Sequence, residues 1–88
     1  MKTKCFRKTF GVILEKFEDE YYLVNDMDIY KVNEVGARIT ELCNGKNTCE
    51  DIAGKLSSKY GVSKEEVYSD VTEFIDSMSR LGLLSESF

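Results

Sequence analysis

The hydrophobic pattern of this chain changes period once, at Asn33, and that change limits what can form on either side of it. Before Asn33 lie three short runs rich in β-branched and aromatic residues: Val12-Ile-Leu-Glu-Lys-Phe17, Tyr21-Tyr-Leu-Val-Asn25 and Asp28-Ile-Tyr-Lys-Val32. Glu18-Asp19-Glu20 separates the first two, and Asn25-Asp26 supplies turn chemistry before the third. Such spacing predicts an antiparallel meander whose outer strands leave two sheet edges.

After Asn33 the apolar residues recur about every 3.6 positions. Val35, Ile39, Leu42 and Cys43 form the stripe of a first helix, capped by Asn33 and ending at Gly45. A second helix is expected from Thr48, with Asp51 at its N3 position, burying Ile52, Ala53, Leu56 and Tyr60 and stopping at Gly61. Ser63 with Glu66 three residues on signals a third and longest helix. Its stripe runs through Val67, Val71, Phe74, Ile75, Met78 and Leu81 to Gly82. Strands first and helices afterwards define an α+β domain, a three-stranded antiparallel sheet followed by three helices in the manner of a winged helix-turn-helix. The organisation expected is a basic arm over residues 1–9, one domain over 10–84 and a short tail over 85–88.

With 88 residues the chain holds one modest core and little room for a buried multi-residue active site. It contains no histidine, which excludes Ser/His/Asp and Cys/His catalytic sets and a Cys/His zinc site, and it has no glycine-rich phosphate loop. The expectation is a protein that is not an enzyme and carries no cofactor. Cys5, Cys43 and Cys49 are an odd number and cannot all pair internally, which fits reduced thiols in the cytoplasm. Cys43 falls on a helix stripe as a small hydrophobe. The apolar run Phe10–Leu14 is halted by Glu15 and Lys16, too short for export or for a membrane span.

Lys2, Lys4, Arg7 and Lys8 place four basic groups and no acid in residues 1–9. Of the chain's 12 basic and 16 acidic residues this leaves 8 and 16 for the remainder, a balance of −8. The third helix carries Glu65, Glu66, Asp70, Glu73 and Asp76 against Lys64 and Arg80. A winged-helix DNA reader is the alternative that this element order raises, but its recognition helix presents cationic and amide side chains to the duplex. An acidic face repels phosphate, so nucleic acid is not the expected partner.

The ordered set Tyr30-Lys-Val-Asn-Glu-Val-Gly-Ala-Arg-Ile39, Leu42-Cys-Asn-Gly45, Asp51-Ile52, Leu56, Tyr60-Gly61, Val67 and Asp70-Val71 resembles the PqqD family. These are coenzyme PQQ synthesis D-like proteins, whose fold is also known as the RiPP precursor peptide recognition element. The resemblance runs from about residue 12 to 84. Val32 stands where the family usually has Leu, Asn44 where Asp precedes the glycine, and the first hairpin loop lacks a common glycine. Asn33 with Gly36 is reminiscent of lasso-peptide pathways, whereas Leu42-Cys-Asn-Gly45 leans toward the quinone-cofactor branch.

The resemblance implies a peptide chaperone. It would take the leader of a ribosomally made precursor as an added strand and present it to a maturase such as a radical SAM enzyme or a leader protease. The binding residues it implies are Asp28, Ile29, Tyr30, Lys31 and Val32 on the third strand, with Val67, Asp70, Val71, Phe74 and Ile75 on the last helix. Tyr30 and Val32 are expected to face inward, and Lys31 to meet an acidic leader residue. An open edge also invites a homodimer.

Overall fold

A computed structural model of the chain describes residues 4–26 and 28–87. Two three-stranded antiparallel sheets and three helices make an α+β fold. β1 (Cys5–Lys8) is followed by the meander β2 (Ile13–Phe17), β3 (Glu20–Asn25) and β4 (Asp28–Val32), then by α1 (Glu34–Leu42) and β5 (Asn44–Thr48). α2 (Cys49–Tyr60), α3 (Lys64–Arg80) and β6 (Leu84–Ser87) complete the chain.

The meander forms as its composition predicts. Glu18 and Asp19, at φ +50° and +66°, make a two-residue turn with both positions left-handed, the geometry whose twist matches that of the flanking strands. It does so without glycine. Leu23 is fully buried at the centre of this sheet, and Val12, Val32, Ala37 and Leu83 complete one apolar cluster around it. Phe6, Ile39, Ile52, Leu56, Val71, Ile75 and Leu84 belong to a second cluster, between the helices and the other sheet. Phe74 and Met78 of α3 pack against both.

The second sheet, in the order β5-β1-β6, differs from the expectation of three strands in all. The stretch read as a basic arm is the central strand: Cys5 pairs with Thr48 on one side and with Ser87 on the other. Alternation explains this, because Phe6 is buried while Arg7 is exposed, a half-buried strand hidden among cations. The expected tail at residues 85–88 is, as far as Ser87, strand β6; Lys4 holds Glu86 at 3.3 Å at its end. Of the stretch 1–9, residues 1–3 lie outside the described residues, as do Met27 and Phe88.

α1 ends before Gly45. The Cys43 N–H reaches the carbonyls of Ile39 and Thr40, and the Asn44 side chain then accepts from Lys46 and Asn47 N–H. This turns Asn44–Thr48 into β5, whose polar sequence shows no strand pattern and which is a strand because β1 lies beside it. Thr48 and Asp51 form a reciprocal capping box on α2, and Ser63 caps α3 through the Glu66 N–H alone. Thr48 hydrogen bonds hold the Asp51 carboxyl below its ordinary pKa. Val35, Tyr60 and Leu81, expected on buried stripes, are partly exposed at the helix ends. No helix among the described residues is long and apolar enough to cross a membrane.

Phe6→Ala is expected to cost about 3–5 kcal/mol, the usual cost of emptying a buried phenylalanine site. Urea unfolding would measure it; a loss within about 0.5 kcal/mol, ordinary for an exposed position, would return residues 4–8 to the role of an arm. The thiols give a second check. Burial pushes the Cys43 thiol up to about 12, and Cys49 is raised for the same reason. Cys43 and Cys49 are buried and Cys5 half-buried, so thiol labelling of the native protein at mildly alkaline pH should reach Cys5 and reach the other two only on unfolding.

Candidate peptide-binding site

Which backbone groups of β4 are free follows from register. In a two-residue hairpin the pair flanking the turn is hydrogen-bonded, and bonded and non-bonded pairs then alternate. Phe17 and Glu20 flank the first turn, so Glu20, Tyr22 and Val24 bond to β2. Tyr21, Leu23 and Asn25 therefore bond to β4, through Val32, Tyr30 and Asp28 respectively. The N–H and C=O groups of Ile29 and Lys31 point the other way. β4 closes the order β2-β3-β4, so these groups line an open edge.

Side chains alternate with the backbone. Tyr30 and Val32 face inward, with Val32 buried and Tyr30 packed in the same cluster as Phe74 and Met78. Ile29 and Lys31 face out, and Ile29 is 68% exposed. Lys31 is already engaged within the sheet: its Nζ lies 2.8 Å from Glu20 Oε1, two residues along β3 from its cross-strand partner Tyr22. The hydrogen bond raises the pKa of Lys31 and, together with one from the Tyr22 hydroxyl, lowers that of Glu20. A leader carboxylate would have to displace Glu20 to take this cation.

Where β4 gives way to α1, a groove of about 460 Å³ opens between the start of α1 and α3. Asn33, Val35, Gly36 and Ile39 line one side, and Asp70, Glu73, Phe74, Ser77 and Met78 the other. Asn33 Oδ1 accepts the Gly36 N–H at 2.7 Å and sets the first turn of α1 against the groove. Gly36 is what lets the helices approach: a Cβ there would lie 2.7 Å from Phe74 Cε1. Its sequence signal was a glycine inside a helical pattern with no turn to make, which marks a close approach.

Of the helix residues picked from sequence, Asp70 and Phe74 line this groove. Val71 and Ile75 are fully enclosed: they seat α3 on the core beneath the groove and have no surface to offer a ligand. A stripe at 3.6-residue spacing cannot separate its buried centre from its margin. Val67, also buried, lies one turn nearer the start of α3. Asn33, Val35, Gly36, Ile39, Glu73, Ser77 and Met78 are groove residues that the strand-and-stripe reading did not assign. No group of three or more Cys, Asp or Glu among the described residues is placed to hold a metal ion.

The family model for coenzyme PQQ synthesis protein D (PqqD) matches residues 12–84. The chain belongs to the PqqD family. Its relatives include proteins named PqqA binding protein, from Methylococcus capsulatus and Bradyrhizobium diazoefficiens. The first is 32% identical over 72 residues, 82% of this chain and 75% of that one. The second is 27% identical over 55 residues, 62% of this chain, and the chain spans only about half of it, 53%.

Among solved structures, the PqqD truncation of Methylobacterium extorquens PqqCD, a stand-alone RiPP recognition element, superposes with a TM-score of 0.86 at 18% identity. The match covers 97% of this chain and 93% of that one. TbiB1 in complex with the TbiA(beta) leader peptide gives a TM-score of 0.77 at 22% identity, covering 90% and 94%. These likenesses show that the fold is shared over nearly the whole chain.

Gly36→Ala tests the close approach. A Cβ at 2.7 Å must displace the Phe74 ring, while alanine favours the helix by about 1 kcal/mol over glycine. The ring is held by both apolar clusters, so the clash, about 1–3 kcal/mol for overpacking, matches or outweighs the propensity gain and the melting temperature should not rise. The Phe74 ring resonances should shift strongly in NMR spectra, and unshifted resonances would mean that the helices are not held this close.

Proposed function

We propose that this chain binds the leader of a ribosomally made precursor peptide as a fourth strand on β4 and presents it to a modifying enzyme, doing no covalent chemistry itself. The observation that carries the reading is the open edge at Ile29 and Lys31 standing beside the α1–α3 groove. Edge and groove supply the two parts that strand addition needs. Main-chain pairing gives affinity without regard to sequence, and a groove beside it selects alternate side chains. The names of the Methylococcus and Bradyrhizobium relatives and the leader peptide held by TbiB1 support it.

In this reading Asp28, Tyr30 and Val32 hold β4 to the sheet and Ile29 and Lys31 pair with the leader. The leader's inward side chains meet Tyr30 and Phe74, with Asp70 and Glu73 along the far rim. The enzyme that receives it would be a maturase such as a radical SAM enzyme or a leader protease, in the cytoplasm. A second copy pairing through the same edge would compete with the leader. The acidic α3 disfavours duplex DNA on this face.

Proline substitutions separate the two edges of one strand. Ile29→Pro and Lys31→Pro each remove an outward N–H, so both should weaken peptide binding several-fold, about 1 kcal/mol per lost bond, and leave folding nearly intact. Tyr30→Pro removes a bond to Leu23 and should unfold the meander. The ligand can be drawn from a surface-display library of random peptides about 16 residues long, ample for a five-residue edge at about 3.3 Å per residue. Affinity and thermal stability measured on the three variants decide it. Failure to enrich any peptide, or equal loss of binding at Tyr30 and Ile29 without unfolding, would overturn strand addition at β4.

A further inference from the structure

The α1–α3 groove does not end at α1. Val35 and Asp70, which line it, also line a second cleft of about 350 Å³ where the start of α1, the end of α2 and the start of α3 converge. Leu56 and Val67 form its floor, and Val35, Tyr60 and Val62 its walls. The floor is buried, but Val35, Tyr60 and Val62 are 38%, 38% and 42% exposed, three large apolar side chains left open around one notch. The Tyr60 hydroxyl donates to Glu34 Oε2 at 3.2 Å, which fixes the ring as a wall. Glu66 and Asp70 stand on the rim.

Resting on the strand-addition reading above, we propose that this notch is a separate anchor site, which takes one apolar side chain of the leader from beyond the stretch paired with β4. Continuity identifies the occupant. A peptide leaving the β4 edge past Val32 follows α3 from Met78 and Phe74 to Asp70, and the notch lies at the next turn, at Val67 and Glu66. Phe74 and Val67 are two turns apart on α3, about 10 Å at 1.5 Å per residue, a span that about three extended residues cover, and a leucine, isoleucine or phenylalanine would cover the exposed walls. The acid rim selects a lysine or arginine beside the anchor, where Glu66, Asp70 and Glu73 give it opposite charges. The leader is thereby read at two points: backbone pairing at Ile29 and Lys31, and an apolar anchor flanked by a basic residue at Val62 and Tyr60.

The test sorts the same random-peptide library with the wild-type chain and with Val62→Asp, a substitution on the exposed loop between α2 and α3. Wild type is expected to enrich an apolar residue next to Lys or Arg at one fixed spacing from the segment that protects the Ile29 and Lys31 amides. Val62→Asp, with unchanged melting, should bind the best such peptide about tenfold more weakly. Replacing the anchor by alanine should cost a similar factor against wild type and little against Val62→Asp, the non-additivity of a direct contact.

Peptides that protect β4 but carry no fixed apolar position, or equal alanine costs on both proteins, would overturn the anchor and leave strand addition standing. A wild-type dimer that Val62→Asp converts to monomer, with peptide selection unchanged, would assign the notch to a second copy and also overturn it. Peptides that leave the β4 amides unprotected would overturn both.

Discussion

Phe74 and Met78 touch both apolar clusters, and the arrangement of the site depends on that double contact. Val71 and Ile75 fix α3 on the helical core from behind, while Phe74 and Met78 turn toward Tyr30 and the meander. The distance from β4 to α3 is therefore set by packing in two directions rather than by a loop. Gly36 completes the setting by allowing α1 against the Phe74 ring, leaving a groove instead of a filled interface. A site on packed elements keeps its geometry before the ligand arrives, which reduces what binding must spend on ordering the protein.

An open strand edge is a hazard as well as a candidate site, and β4 shows how this one is restrained. It is five residues long, carries Asp28 and Lys31, and presents one exposed apolar side chain, Ile29. Short length and charge are the usual means of discouraging edge-to-edge association. The Lys31–Glu20 pair adds to this, since it keeps the cation on the outer face of the sheet and away from the edge groups. Backbone donors remain available while the side chains around them do little to attract a second sheet.

Much of the meander and all three helices were legible because their signals are local. Period two gives way to period 3.6 at Asn33, Thr48 and Ser63 cap their helices, and Gly61 ends α2 at φ +67°. The second sheet was not, for a physical reason. β5 is Asn-Gly-Lys-Asn-Thr, with neither β-branched alternation nor an apolar face, and β1 is four residues with one buried side chain. Their pairing is decided by partners distant in sequence: Cys5 meets Thr48 across the meander and α1, and Ser87 across the whole domain. At the site, the strand was readable and the groove was not. β4 appears in the sequence as alternation, whereas Asn33, Gly36, Glu73 and Ser77 converge only through the crossing of two helices.

If a leader adds to β4 as proposed, its selectivity has to arise away from that edge. Every extended peptide offers the same backbone groups to Ile29 and Lys31, so pairing there cannot tell one leader from another. Discrimination has to come from side chains, and the protein offers them apolar surface at Tyr30 and Phe74 beside the carboxylates Asp70 and Glu73. Apolar contact alone separates similar side chains weakly, by about 1–3 kcal/mol for a methylene group. Wrong partners are rejected more effectively by charge: an acidic leader segment lying along α3 would face Glu66, Asp70 and Glu73 with no opposing cation among the groove-lining residues. In the proposed reading, the acidity that disfavours a DNA backbone on this helix would also act as a filter among peptides, and the helix that carries it is held in place by the apolar contacts of Phe74 and Met78 beneath.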